Sequence, residues 1–163
     1  MKPPRGLTLL EVMIGLAILA IVATLALPSL GAMSERSRLR AAAEAFAGDL
    51  SEARFESAKS GRAIFVIPET AGAAWCWAVT LHVGCGCQAV ASCQLKTVRS
   101  GDLAGVDLLE AKASQLDPTG AAPVGGSALF RSTRGESLQV DLTALGRPRI
   151  CSPGGSVPGY AAC

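Results

Sequence analysis

Histidine occurs once, at His82, tyrosine occurs once, and aromatic side chains make up only 4% of the chain. One imidazole, with no nucleophile motif around it, offers nothing toward a catalytic triad or dyad. No glycine-rich phosphate loop of known spacing marks a nucleotide site either. The 18 glycines read as turns, and His82 reads as a strand residue directed to solvent or to a hydrogen bond. Neither catalysis nor a cofactor finds support. Strong charge of one sign is also missing. The 15 basic and 13 acidic side chains nearly cancel, and with Lys2, Arg5 and Glu11 set aside the remainder carries +1. A nucleic-acid partner would therefore need a local patch. Trp75 and Trp77 flank Cys76 at strand spacing and read as packing residues on one face, in preference to platforms for a base.

Uncharged apolar sequence is abundant at the start. Arg5-Gly6-Leu7-Thr8-Leu9-Leu10-Glu11 runs into a stretch, 12–30, that carries no further charge. A secretory signal places its cleavage site after the apolar core. Here the one plausible site, a Gly following basic residues, precedes it. A cut after Gly6 would remove residues 1–6 and leave the apolar helix in the mature protein. As a helix, residues 7–27 would extend roughly 32 Å, enough to cross a hydrocarbon core. Lys2 and Arg5 place its start in the cytoplasm by the positive-inside tendency, and the rest beyond the inner membrane. Glu11 lies one turn into this segment, where facing lipid would cost roughly 2.5 to 3.5 kcal/mol, so it needs a partner or a route to the headgroups.

These residues resemble the type IV pilin superfamily, in which a prepilin peptidase cuts a Gly-Phe-Thr-Leu-Ile-Glu-like motif and methylates the new N-terminus. Gly6 matches the residue before the cut, Leu7 stands where Phe is usual, and Glu11 is the fifth residue after the cut. Pro28 also falls where such helices often carry proline. The resemblance implies cleavage between Gly6 and Leu7, methylation of Leu7, and pairing of Glu11 with the amine of a neighbouring subunit during filament assembly. Its partners would be prepilin peptidase, the inner membrane, and other pilins or pseudopilins.

Beyond the apolar run, Leu39, Ala43, Phe46, Leu50 and Ala53 recur at three- and four-residue spacing among charged residues, continuing an amphipathic helix to the stop at Gly61. Short apolar or alternating runs follow at 63–67, 77–83, 95–98, 106–109, 128–130, 138–142 and 149–151, separated by turn residues. They predict antiparallel strands, with a loop at 117–127. The fold class is α+β: a long N-terminal helix on a small antiparallel sheet, which is also the pilin fold that the resemblance implies. The expected division is a leader over 1–6, a membrane and filament-core helix over 7–30, and a periplasmic domain over 31–163, helical to 61 and β-rich from 62.

All six cysteines lie in the exported part, where an oxidising compartment favours disulfides. Cys151 and Cys163 are expected to close the C-terminal tail, while Cys76, Cys85, Cys87 and Cys93 allow three connectivities. Zinc held by those four thiolates is the alternative, but the paired Cys-x-x-Cys spacing is absent. No metal is therefore expected.

The runs Arg38-Leu39-Arg40-Ala41-Ala42-Ala43-Glu44 and Leu50-x-x-Ala53-Arg54-x-Glu56-x-x-Lys59-x-Gly61 resemble the GspH/FimT group of minor pilins and pseudopilins. Within it, Gly146-Arg147-Pro148-Arg149 is similar to the Gly-Arg-x-Arg element of minor pilins that bind DNA during natural transformation. Two guanidiniums one residue apart on an extended segment stand about 7 Å from each other, close to the spacing of successive phosphates. Arg131 and Arg134 could extend the patch. The alternative is a solvated strand end whose arginines pair with Asp141 or Glu136. The sequence thus predicts a minor pilin that captures DNA. An H-like pseudopilin of type II secretion is the second reading, and an unrelated single-span protein the third.

Overall fold

The structure, a computed structural model, describes residues 8–71, 74–89 and 91–163, with the side chains of 25–30 and 91 outside the description. Its elements are α1 (Leu9–Ser60), β1 (Ile64–Ala71), β2 (Ala74–Thr80), β3 (Gln94–Arg99), β4 (Val106–Lys112), β5 (Ser114–Leu116), β6 (Ser127–Ser132), β7 (Ser137–Leu142) and β8 (Pro148–Cys151). The chain divides into two compact units, Met1–Ser34 and Glu35–Cys163.

In the first unit every side chain of 8–24 is exposed, with Leu9 at 79% and Leu19 at 68%. Apolar residues cover all sides of the helix, so no face is set aside for a core within the unit. Among the described residues no helix is long and apolar enough to cross a membrane. The expected span, 7–27, begins and ends outside the described side chains.

The second unit has its own core. The α1 face carrying Leu39, Ala42, Ala43, Phe46, Leu50 and Ala53 is fully buried, as the three- and four-residue spacing requires. Two four-stranded antiparallel sheets, ordered β3-β2-β1-β5 and β4-β6-β7-β8, take the place of the single expected sheet. Phe46 meets rings from both: its centroid is 5.3 Å from Trp77 and 5.9 Å from Phe130, each edge to face. Trp75 and Trp77, two residues apart on β2, stack at 5.5 Å and are buried. They are packing residues, and neither face is open to a base.

Both indoles are hydrogen-bonded inside, as buried N–H groups must be. Trp75 Nε1 donates to the Val106 carbonyl at 2.9 Å, and Trp77 Nε1 donates to Asp49 Oδ2 at 2.7 Å. Asp49 Oδ1 accepts from Lys96 Nζ at 2.6 Å. The carboxylate on the apolar side of α1 is thus neutralised and doubly bonded, which makes its burial tolerable. The hydrogen bond from Lys96 to Asp49 raises the lysine pKa above its ordinary value.

Three features depart from the sequence expectation. β1 runs on to Ala71 through Pro68, because β5 pairs only with Ile64, Phe65 and Val66, so the missing N–H interrupts no second ladder. β2 starts at Ala74 and ends at Thr80, whose Oγ1 donates to the His82 carbonyl at 3.0 Å. His82 is therefore an exposed residue beyond the strand. β5, only three residues long, is too short for its period to be read.

The cysteines form three disulfides: Cys76–Cys87, Cys85–Cys93 and Cys151–Cys163. Cys76–Cys87 ties the segment after β2 back onto that strand, Cys85–Cys93 closes the segment between β2 and β3 on itself, and no free thiolate remains for zinc. Glu69, Cys76 and Cys87 do cluster, but both sulfurs are already bonded to each other. At the C-terminus, Arg40 Nη2 donates to the Pro158 carbonyl at 2.6 Å and Tyr160 Oη to Glu44 Oε1 at 2.8 Å. Together with Cys151–Cys163 these contacts hold the tail on α1.

Candidate functional sites

Two groups of residues stand apart from the core. The first is N-terminal. Gly6 and Leu7 lie outside the described residues. Thr8 precedes α1, and its Oγ1 and carbonyl accept from the Glu11 amide at 3.3 and 3.1 Å. Glu11 is exposed in the first turn. Among the described residues its carboxylate has no ion-pair or hydrogen-bond partner.

The second group is the turn between β7 and β8. The Thr143 amide donates to the Arg147 carbonyl at 3.0 Å, and Gly146 N donates to the Thr143 carbonyl at 2.8 Å. Thr143 Oγ1 accepts from the Arg147 amide at 3.2 Å and lies 3.0 Å from the Arg147 carbonyl. Gly146 sits at φ +68°, where a Cβ would collide with the Gly120 carbonyl oxygen. Only glycine fits both the backbone and the approach. Pro148 then opens β8 on the edge of its sheet, a position that needs no donated ladder bond.

Arg147 and Arg149 are exposed, and among the described residues neither is in an ion pair. Asp141 faces Arg149 in register, but its Oδ1 accepts from Gln139 Nε2 at 2.8 Å. The two guanidiniums are free to meet an external anion.

Arg131 and Arg134 are not part of this group. In the β6–β7 pairing Arg131 lies opposite Ser137, whereas Arg149 lies opposite Asp141 on the other side of β7. Four residues along a strand is about 14 Å, with two strand spacings between them in addition. Both are also engaged. Arg131 Nη2 is 3.8 Å from Asp107 Oδ2, and Arg134 Nε is 3.4 Å from Glu35 Oε2. Glu136 pairs at 2.7 Å with Arg36, not with an arginine of the turn. The hairpin carries Arg131 and Arg134 to the opposite end of the sheet.

A different arginine lies beside the turn. Arg54, half-buried on α1, donates from Nε to the Gly120 carbonyl at 2.8 Å. Its side chain passes Gly146 so closely that a Cβ there would be 3.2 Å from Cδ and from Nε. The Gly120 loop is ordered in its own right. Asp117 Oδ1 accepts from Thr119 Oγ1 at 2.5 Å, Thr119 N at 2.9 Å and Ala121 N at 3.1 Å. The Thr119 hydroxyl first, then the surrounding amides, hold the Asp117 carboxyl below its usual pKa. The sequence places Arg54 in a helical pattern but gives no sign of its contact with residues this far along the chain.

The prokaryotic N-terminal methylation motif matches residues 1–27. No curated protein sequence matches the chain. Among solved structures, the type IV minor pilin FimU of Pseudomonas aeruginosa is similar in two crystal forms. One has a TM-score of 0.54 at 19% identity, covering 78% of this chain and 98% of that one. The other has a TM-score of 0.52 at 17% identity, covering 75% and 98%. The chain thus joins a prokaryotic N-terminal methylation motif to a fold similar to that of the minor pilin FimU.

Proposed function

We propose that this protein is a minor pilin subunit of a type IV pilus-like filament and that it captures DNA through Arg147 and Arg149. On this reading prepilin peptidase cuts between Gly6 and Leu7 and methylates Leu7. The apolar helix anchors the subunit in the bacterial inner membrane, N-terminus inward, with the domain in the periplasm until assembly. Glu11 then pairs with a neighbouring pilin. The observation that supports the filament role is the union of a methylation motif with a FimU-like fold. What supports DNA capture is a pair of exposed, unpaired arginines on a rigid turn, since phosphate-led binding needs free cations at fixed spacing.

The test is duplex DNA binding by the purified full-length chain in nonionic detergent, across a range of salt concentrations. Wild type is expected to bind, with log affinity falling linearly against log salt. The Arg147→Ala, Arg149→Ala double variant should lose most of that binding and reduce the slope by about 1.8. A folded wild-type protein that does not bind would remove DNA capture and leave filament assembly, in a pilus or a type II secretion pseudopilus, as its role.

A further inference from the structure

Two glycines with positive φ, Gly120 at +81° and Gly146 at +68°, face the same side chain. A Cβ on Gly120 would sit 3.1 Å from Arg54 Nε and 3.2 Å from Nη2, and one on Gly146 would sit 3.2 Å from Arg54 Cδ and Nε. The guanidinium and its last methylene therefore occupy the space that two side chains would otherwise fill. Both glycines are buried. One further backbone bond, Ala122 N to the Ala144 carbonyl at 2.9 Å, ties the same two segments.

Glycine confers the greatest backbone freedom of any residue, so a turn built on Gly146 needs an external constraint to stay in one conformation. Thr143 supplies it from inside the turn. Arg54 supplies it from α1, across the Gly120 carbonyl. We propose that Arg54 is the positioning residue of the arginine turn: wedged between Gly120 and Gly146, it locks segment 143–147 to segment 117–121 and fixes where Arg147 and Arg149 meet a polyanion. This rests on the DNA-capture reading for its consequence but not for its geometry.

The chemistry calls for arginine. The bond to Gly120 comes from Nε, in the middle of the side chain, and a planar guanidinium fits between two close backbones. Lysine has the same charge but no donor at that position and a round, strongly hydrated head. The charge-preserving variant thus separates positioning from simple attraction. A preorganised turn loses less entropy on binding, so loosening it lowers affinity without removing any phosphate contact.

Two measurements on the full-length chain in detergent decide it: hydrogen–deuterium exchange over 117–121 and 143–147, and binding of a 30-base-pair duplex at several salt concentrations. For Arg54→Lys, both segments should exchange faster while α1 and β2 keep wild-type protection. Affinity should fall about five- to tenfold at an unchanged salt slope. Wild-type exchange in Arg54→Lys overturns the proposal. So does an Arg54→Ala variant whose slope drops by about one while Arg54→Lys retains full affinity, because Arg54 would then be a phosphate contact. If wild type binds no DNA, the DNA reading fails, and the exchange data still decide whether Arg54 positions the turn.

Discussion

The two units differ in where their apolar side chains go. In Met1–Ser34, Ile18 and Leu19 are 57% and 68% exposed, whereas in Glu35–Cys163, Leu39, Phe46 and Leu50 are fully buried. The second unit meets its hydrophobic demand internally, with two sheets and one helix face. The first does not. Burying a large apolar side chain is favourable by about 1.5 to 3 kcal/mol, so on the proposed reading a helix that exposes this many meets lipid before assembly and other subunits after it. One unit is a finished core, and the other is a connector.

The largest effect should come from breaking the connector while leaving the core intact. A Gly6→Val variant is expected to keep Met1 as its N-terminus by mass spectrometry, unprocessed and absent from sheared filaments. Glu11→Val should be processed normally but enter filaments more than tenfold less. Its domain should melt within about 1 °C of wild type, because surface sites outside the core shift stability little. A Glu11→Val protein that assembles normally would deny Glu11 any part in contacts between subunits.

The reverse experiment breaks the core. Trp77→Ala removes a fully buried ring that touches Phe46 and Phe130 and leaves the Asp49–Lys96 pair without its third member. A loss of about 3 to 5 kcal/mol is expected in denaturant unfolding. Cleavage after Gly6 should continue, since the processing motif lies wholly in the other unit. If Trp77→Ala also abolished cleavage, the units would not be functionally separable.

A milder version acts on the tail. The Cys151→Ser, Cys163→Ser double variant opens a loop with a sequence separation of 12 and should cost about 2 to 3 kcal/mol on a chain-entropy account. It should also speed exchange at Val157 and Tyr160, while Arg147 and Arg149, held by the turn, lose DNA affinity less than in the Arg54→Lys variant. A larger loss of affinity in the cysteine variant would make the tail the main support of the site.

How much of this was legible in the sequence depends on how far apart the cooperating residues are. The helix and seven of the eight strands follow from local period, because side-chain spacing and burial are tied within a few residues. The motif from Arg5 to Glu11 is contiguous and equally legible. Arg147 and Arg149 share one short segment, so their proximity could be read directly. Arg131 and Arg134 are close to them in sequence but not in space, since β7 lies between and reverses the chain. Arg54 shows the opposite case: its carbonyl partner, Gly120, is 66 residues away, and no local pattern carries that contact. Asp49 was open to inspection as an acid between Phe46 and Leu50 on an apolar stripe, yet its partners Trp77 and Lys96 are supplied by other elements.

The smallest predicted effect concerns pH and the loop that carries Gly120. Asp117 has a folded-state pKa below its ordinary value, owing first to the Thr119 hydroxyl and then to backbone amides. A depressed carboxylate pKa stabilises the fold above the unfolded-state value, roughly 3.9 for aspartate. That contribution is lost as pH falls through the folded-state value. Segment 117–121 should therefore lose exchange protection as pH falls below the ordinary aspartate value, after correction for intrinsic rates. Because Arg54 ties this loop to Gly146, segment 143–147 should loosen over the same window. Asp117→Asn removes the titration but keeps an acceptor for Thr119, so its two segments should show a flatter pH response than wild type. Identical responses in the two proteins would mean that Asp117 does not order the loop and that the contact with Arg54 carries it alone.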